Sequence, residues 1–316
     1  MRSNMRPAAR ASVGAGVLMI VLASAMWGTV GVATQLIYGM SQANALTVGF
    51  FRLAIAAPVL LAAGWLLLGR RMFAVRRRDW WLFAGIGALT AAYQVCLFSA
   101  IPFVGVSIAV VVTLCVAPVV VALASVWLFG EPLTRRVVLA LACALGGTAL
   151  LAGGGAGLPS EPGAVLLGVA LAVGSAVGYA GIALIGRAQA GRYHPIQPVA
   201  FGFGFGALLL LPCALAQGLV VDLPPLAWGL LLHLGLLPTA LGYVLFFFGI
   251  RGVRATAASV ITLIEPLTAA ALAWAMFGER LSAAGGLGAM LLLAAIGLLS
   301  WREAGPQRAA RSASGG

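Results

Sequence analysis

The chain has 316 residues, 62% of them hydrophobic and 8% charged, with a formal charge of +12 and a mean hydropathy of +1.09. A chain that apolar is excluded from the soluble class. Its apolar runs of about 20 residues cross a ~30 Å hydrocarbon core as helices, which excludes a membrane barrel built of ~10-residue alternating strands.

The basic start, residues 1–10, leads into an apolar run through Ile37 that contains Ala23-Ser24-Ala25. A basic start and an A-x-A site also mark a cleaved signal peptide. Cleavage would leave nine spans and spoil the charge pattern below, so the run is expected to stay as the first helix. Ten helices are predicted, with cores at 16–37, 46–68, 80–100, 107–129, 137–152, 164–186, 198–220, 226–249, 255–277 and 283–301. With the N-terminus placed in the cytoplasm, 17 of the 19 basic residues, all arginines, fall in inside segments, and among the loops only Arg280 lies outside. Dropping any one helix would invert every later loop, so this bias supports both the count and a multi-pass chain with cytoplasmic termini. The arginines thus read as a topology signal, not as a nucleic-acid footprint.

Pro118, Phe129, Gly130, Glu131 and Leu133 recur 148 residues later as Pro266, Phe277, Gly278, Glu279 and Leu281. The chain is a duplication, and five helices between equivalents make the halves inverted repeats. The expected organisation is an N-terminal segment 1–12, a first repeat 13–152, a Gly/Pro-rich joint 153–163, a second repeat 164–301 and a C-terminal tail 302–316. Inverted repeats are a widespread architecture of secondary transporters, which bind substrate near the midplane between halves.

Ala25-Met26-Trp27-Gly28, Phe51-Arg52-Leu53, Ala117-Pro118 with Phe129-Gly130-Glu131-Pro132-Leu133, and Glu265-Pro266 with Phe277-Gly278-Glu279-Arg280-Leu281 are the motifs that stand out. Singly each is weak, but their order over two halves resembles the EamA-type members of the drug/metabolite transporter superfamily, a ten-helix family with two EamA repeats. The resemblance implies an inner-membrane transporter, often an exporter of amino acids, other metabolites or drugs, and leaves the cargo open.

Glu265 stands where the first repeat has Ala117, and of the seven acids only it lies well inside a span. A carboxylate there costs several kcal/mol unless it pairs, faces water or is protonated. Ser259, Thr262 and Glu265, spaced by three, share a broad face that could line a polar cavity. Glu265 could equally serve the bend by donating to a carbonyl freed at Pro266. Arg52 either lines the cavity or snorkels to the outer interface. His233 is a candidate for proton transfer or a packing residue. Thr90, Tyr93 and Gln94 form a polar face, and Trp27 and Tyr179, in equivalent helices, could wall a substrate or simply pack. Glu131 and Glu279 read as turn residues beside a capping Thr or Ser. Gly146/Gly147, Gly174/Gly178 and Gly285/Gly286 read as close helix contacts.

Cys96, Cys115, Cys143 and Cys213 lack CxxC spacing and read as packing thiols, and neither a metal nor a cofactor is expected. The expected partners are a small-molecule substrate, the lipid bilayer and protons as candidate coupling ion, with the oligomeric state open. The sequence has no Walker loop, so the leading function is a secondary transporter driven by a proton or substrate gradient, and the resemblance implies that it exports a small polar metabolite, such as an amino acid, or a drug. An intramembrane lipid-processing enzyme and a non-transporting scaffold are the alternatives. The first lacks support because His194 and His233 are far apart and no HExxH occurs.

Overall fold

The computed structural model describes residues 13–152, 162–277 and 283–303. The joint 153–161, the motif from Gly278 to Ser282 with Glu279 and Arg280, and both tails lie outside the described residues. Within them the chain is nearly all helix: α1 (Val13–Met40), α2 (Ala45–Leu68), α3 (Trp80–Phe129), α4 (Arg135–Ala152), α5 (Pro162–Ala188), α6 (Ile196–Ala216), α7 (Pro225–Leu234), α8 (Gly242–Gly249), α9 (Ala255–Ile261), α10 (Ile264–Phe277) and α11 (Ala283–Glu303). Eight stretches among the described residues are long and apolar enough to cross a membrane. The predicted count of ten separate helices is not reproduced as such. The third and fourth predicted helices are one helical run of 50 residues, and α4 and α11 stand outside the eight.

A straight helix of that length would reach about 75 Å, more than twice the hydrocarbon thickness. The register along α5 shows how α3 fits. Leu89 meets Gly181, Tyr93 meets Gly178, Cys96 meets Gly174 and Val104 meets Gly168. Beyond that point the order reverses. Thr113 Oγ1 lies 3.2 Å from Ala172 O, and Pro118 and Val121 share a cavity with Tyr179 and Ala183. The first limb of α3 therefore runs antiparallel to α5 and the second runs parallel to it, with the reversal between Val104 and Ile108.

The packing has a two-fold pattern. Helices α2 and α6 pair with each other, as do α4 and α11, while the packing of α1 on α7–α8 and α10 is matched by that of α5 on the two limbs of α3. Equivalent helices α2 and α6 run antiparallel, Gly49 lying against Leu210 and Gly206 against Leu53. Gly87 and Gly235, 148 residues apart, occupy matching close crossings. A Cβ on Gly87 would lie 2.5 Å from Gly202 O, and one on Gly235 2.6 Å from the Ile55 side chain. Small residues at these points are what let the halves approach.

Because α2 and α6 are antiparallel, their ends meet at both faces, and one amide closes each meeting. At one end Asn44, the N-cap of α2, donates to Gln217 O (2.9 Å) and Gly218 O (3.1 Å). At the other, Gln197 in the first turn of α6 donates to Arg71 O (3.1 Å) and Met72 O (3.0 Å). The Gln197 end is tied further. Asp79, buried, pairs with Arg192 at 2.9 Å and accepts from the Tyr193 hydroxyl. Burial and that carboxylate push the Tyr193 phenol up. Arg187 donates to Ile250 O and Arg251 O. Burial and the neighbouring Arg251 push the His194 imidazole down. Glu131 does more than its expected turn role: it reaches across to accept from Ala255 N (3.0 Å), Thr256 N (3.3 Å) and Thr256 Oγ1 (2.9 Å), capping α9. Thr134, as expected, caps α4 by accepting from Val137 N.

Candidate substrate and coupling site

Two helices of the second repeat are interrupted at depth, each at a proline. Between α7 and α8 the chain passes through a π-helical stretch, Gly235–Leu241, that contains Pro238. Pro238 has no N–H to give Leu234 O. The Thr239 hydroxyl takes that carbonyl at 2.7 Å and itself accepts from Arg52 Nε at 3.1 Å. Gly242 N bonds Leu237 O and Thr239 O instead of Pro238 O, and Trp27 Nε1 donates to the freed Pro238 carbonyl at 2.8 Å. Gly242 makes room for this: a Cβ there would lie 3.0 Å from Trp27 Nε1. Such π-segments concentrate at functional sites.

The second interruption separates α9 from α10. Pro266 cannot donate to Thr262 O, which accepts from Glu265 N at 2.9 Å. Ser259 and Thr262 hydroxyls bond the carbonyls three residues back, at 2.8 and 2.7 Å, competing with the regular ladder and bending the helix. Gly28 lies against this break, where a Cβ would come 2.8 Å from Glu265 O and 2.5 Å from Thr268 Cβ. The adjacent residues Trp27 and Gly28 thus touch both interruptions, one with its indole and the other with its missing side chain.

Around them the structure gathers aromatic rings from both halves. Trp27 lies 6.4 Å from Tyr179, 4.9 Å from Tyr243 and 5.5 Å from Phe246, and Tyr93 lies 6.0 Å from Tyr179. A cavity of about 10 Å³, at the lower limit for one water, is lined by Tyr179, Ser259, Thr262, Phe246, Leu114 and Pro118 among others. Glu265, one turn beyond Thr262, is half-buried. Among the described residues Glu265 and Arg52 form no ion pair.

The remaining candidates sit at the rim. His233 shares a hydrogen bond of 3.0 Å with Thr29 Oγ1. Gln94 is buried against Gly49, its Nε2 3.4 Å from Thr90 O and its Oε1 without a hydrogen-bond partner. Trp27, Tyr93, Tyr179, Ser259 and Thr262 are therefore contiguous, whereas Arg52, His233 and Gln94 each answer to a separate neighbour. Sequence reasoning missed Thr239, Tyr243 and Phe246. A signal existed for the first: Thr239 stands where the first repeat has Ala91, the same symmetry breaking that picks out Glu265.

The EamA-like transporter family model matches residues 14–153 and 166–301, one copy per repeat. The uncharacterized transporter YwfM of Bacillus subtilis (strain 168) is 30% identical over 282 residues, 89% of this chain and 92% of its own length. An uncharacterized transporter of Archaeoglobus fulgidus is 32% identical over 188 residues, 59% of this chain and 64% of its own. The uncharacterized inner membrane transporter YicL of Salmonella typhimurium is 25% identical over 90% of this chain and 95% of its own. A crystal structure at 21% identity superposes with a TM-score of 0.77 over 92% of this chain and 98% of that one, a likeness of fold.

Proposed function

This chain belongs to the EamA-like transporter family, and from that premise we propose that it is a secondary transporter exporting a small polar metabolite, amino-acid-like or drug-like, by alternating access. The observation that carries the reading is the convergence of two interrupted helices of one repeat on Trp27, Gly28 and Arg52 of the other. Broken helices leave backbone and side-chain polar groups at depth, which is where transporters of this architecture take substrate and coupling ion. In this reading Trp27, Tyr93, Tyr179, Ser259 and Thr262 contact the substrate and Gln94 borders it. Arg52 complements an anionic group, Glu265 exchanges a proton with the transport cycle, and His233 relays at the rim. Both termini face the cytoplasm, with the Arg-rich end of the bundle on that side. No covalent step is required of the protein.

The test is flux of a panel of amino acids and small drugs in proteoliposomes, with and without an imposed pH gradient. Saturable, gradient-stimulated flux of a polar solute is expected. Full activity on lipid extract with no solute flux would overturn the reading. Orientation is tested separately, in a chain free of its native cysteines. A cysteine at Ser160 should label from outside, and one at Arg77 only after permeabilisation.

A further inference from the structure

Between α2 and α3 lie two short 3-10 turns, Gly69–Phe73 and Arg77–Asp79, and this stretch carries Arg70, Arg71, Arg76, Arg77 and Arg78. All five arginines are exposed. The acid within this stretch, Asp79, is turned inward to Arg192 and Tyr193 and does not neutralise them. Five cations in nine residues repel one another unless counter-charge is supplied from outside the chain.

The stretch is also built to stay in place. Met72 is fully buried and fills the space above Gly64, where a Cβ would meet its sulfur at 2.6 Å. Gln197 holds the carbonyls of Arg71 and Met72, Ala74 N bonds Arg71 O, Val75 N bonds Phe73 O and Asp79 N bonds Arg76 O. These backbone groups are bonded within the chain, and the five arginine side chains are left exposed. Directly beside them, large apolar side chains are exposed: Leu66 at 84%, Trp81 at 80%, and Trp65, whose ring lies tilted against that of Phe73 at 5.8 Å. Tryptophans next to a basic loop at the end of a span mark the level of the lipid headgroups. The loop at the other end of the bundle that answers to this one, residues 217–224, carries no arginine and one acid, Asp222.

We propose that this platform is a binding site for anionic phospholipid of the bilayer, with phosphodiester oxygens held by the five guanidinium groups and acyl chains lying along Leu66, Trp65 and Trp81. Arginine suits phosphate because its planar fork donates two parallel hydrogen bonds. A loop already fixed loses little freedom on binding. The site is separate from the substrate region and does not depend on the transport reading.

The experiment is native mass spectrometry of the full chain in neutral detergent, titrated with phosphatidylglycerol or phosphatidylcholine. Preferential retention of phosphatidylglycerol is expected, and affinity for it should fall by about fivefold for each arginine neutralised. The variant Arg77→Gln/Arg78→Gln tests this with little risk to folding, and all five arginines changed to Gln should abolish the preference. Five lysines should keep part of it. A tail control, Arg308→Gln/Arg311→Gln, should leave it unchanged. The proposal is overturned if the double variant keeps wild-type preference, if the tail control loses as much, or if inorganic phosphate alone displaces the lipid at equal concentration.

Discussion

Ile108, Val111, Leu114 and Ala117 in the first repeat correspond, 148 residues on, to Thr256, Ser259, Thr262 and Glu265 in the second. Each stripe is followed by a proline, and Leu114 and Thr262 line the same small cavity. Yet α3 runs helical through Pro118, while the second repeat breaks before Pro266. The difference lies in the company the proline keeps. Thr113 bonds the carbonyl four residues back, as a regular turn allows, whereas Ser259 and Thr262 bond three back and tighten the turn ahead of the proline. The neighbouring pair shows the same contrast. Thr90 bonds the carbonyl four residues back within a regular helix, but its counterpart Pro238 opens a π-stretch. One repeat supplies regular helices and the donors Trp27 and Arg52, and the other supplies the acceptors they meet, the freed Pro238 carbonyl and the Thr239 hydroxyl.

The sharpest way to break this comparison is to straighten one helix at a time. Pro266→Ala gives Thr262 O the regular donor four residues on in place of Glu265 N, and a bias of about 1.4 kcal/mol toward the straight helix would lower the bent population about tenfold. Gradient-driven flux should fall accordingly, while Pro118→Ala, in a helix that is already regular, should transport at close to the wild-type rate. Equal losses in both would show that the break has no special part.

Next in size is the donor side. Trp27→Phe keeps an aromatic ring, though a smaller one, and leaves the Pro238 carbonyl unpaired, at a cost of about 1–3 kcal/mol in unfolding free energy for the lost hydrogen bond. Tyr179→Phe in the equivalent helix of the other repeat should cost less, because among the described residues no backbone carbonyl depends on it. Thermal unfolding in detergent checks both.

Smaller still is the contrast between the amide clamps. Gln197→Ala takes the amide donor from the buried Met72 O and leaves Arg71 O with Ala74 N alone, about 2 kcal/mol, while Asn44→Ala acts where water can replace the amide and should cost about 1 kcal/mol. The smallest effect is one of pH. His194 is held neutral by burial and Arg251 in the folded state, so its contribution is fully present above its ordinary value of ~6.5 and lost as pH falls below it. His194→Gln should remove that part of the acid loss of stability, and an unchanged pH–Tm curve would contradict it.

The membrane class, the duplication and the break before Pro266 were legible because each follows from composition, self-similarity or a missing donor. The π-stretch was not, since Pro238 sits in an apolar run whose pattern does not tell a kink from a register slip. Nor were the partners. Asp79 with Arg192, Gln197 with Arg71 and Met72, and Glu131 with Thr256 join residues more than 100 positions apart, and helical periodicity fixes a face without naming what it meets. The helix count illustrates the same limit: charge bias placed a loop between residues 100 and 107, and the chain does reverse near there, but within a continuous helical run.

The central claim is that Glu265, the carboxyl at the break of the second repeat, takes part in coupling. Glu265→Gln preserves size and hydrogen bonding and removes titration, so its most direct test is flux of the identified substrate under an imposed pH gradient, measured beside thermal unfolding of the same variant. The account predicts loss of gradient-driven flux with a near wild-type unfolding temperature. Transport at the wild-type rate with an unchanged pH profile would contradict it and leave the carboxyl with the bend alone.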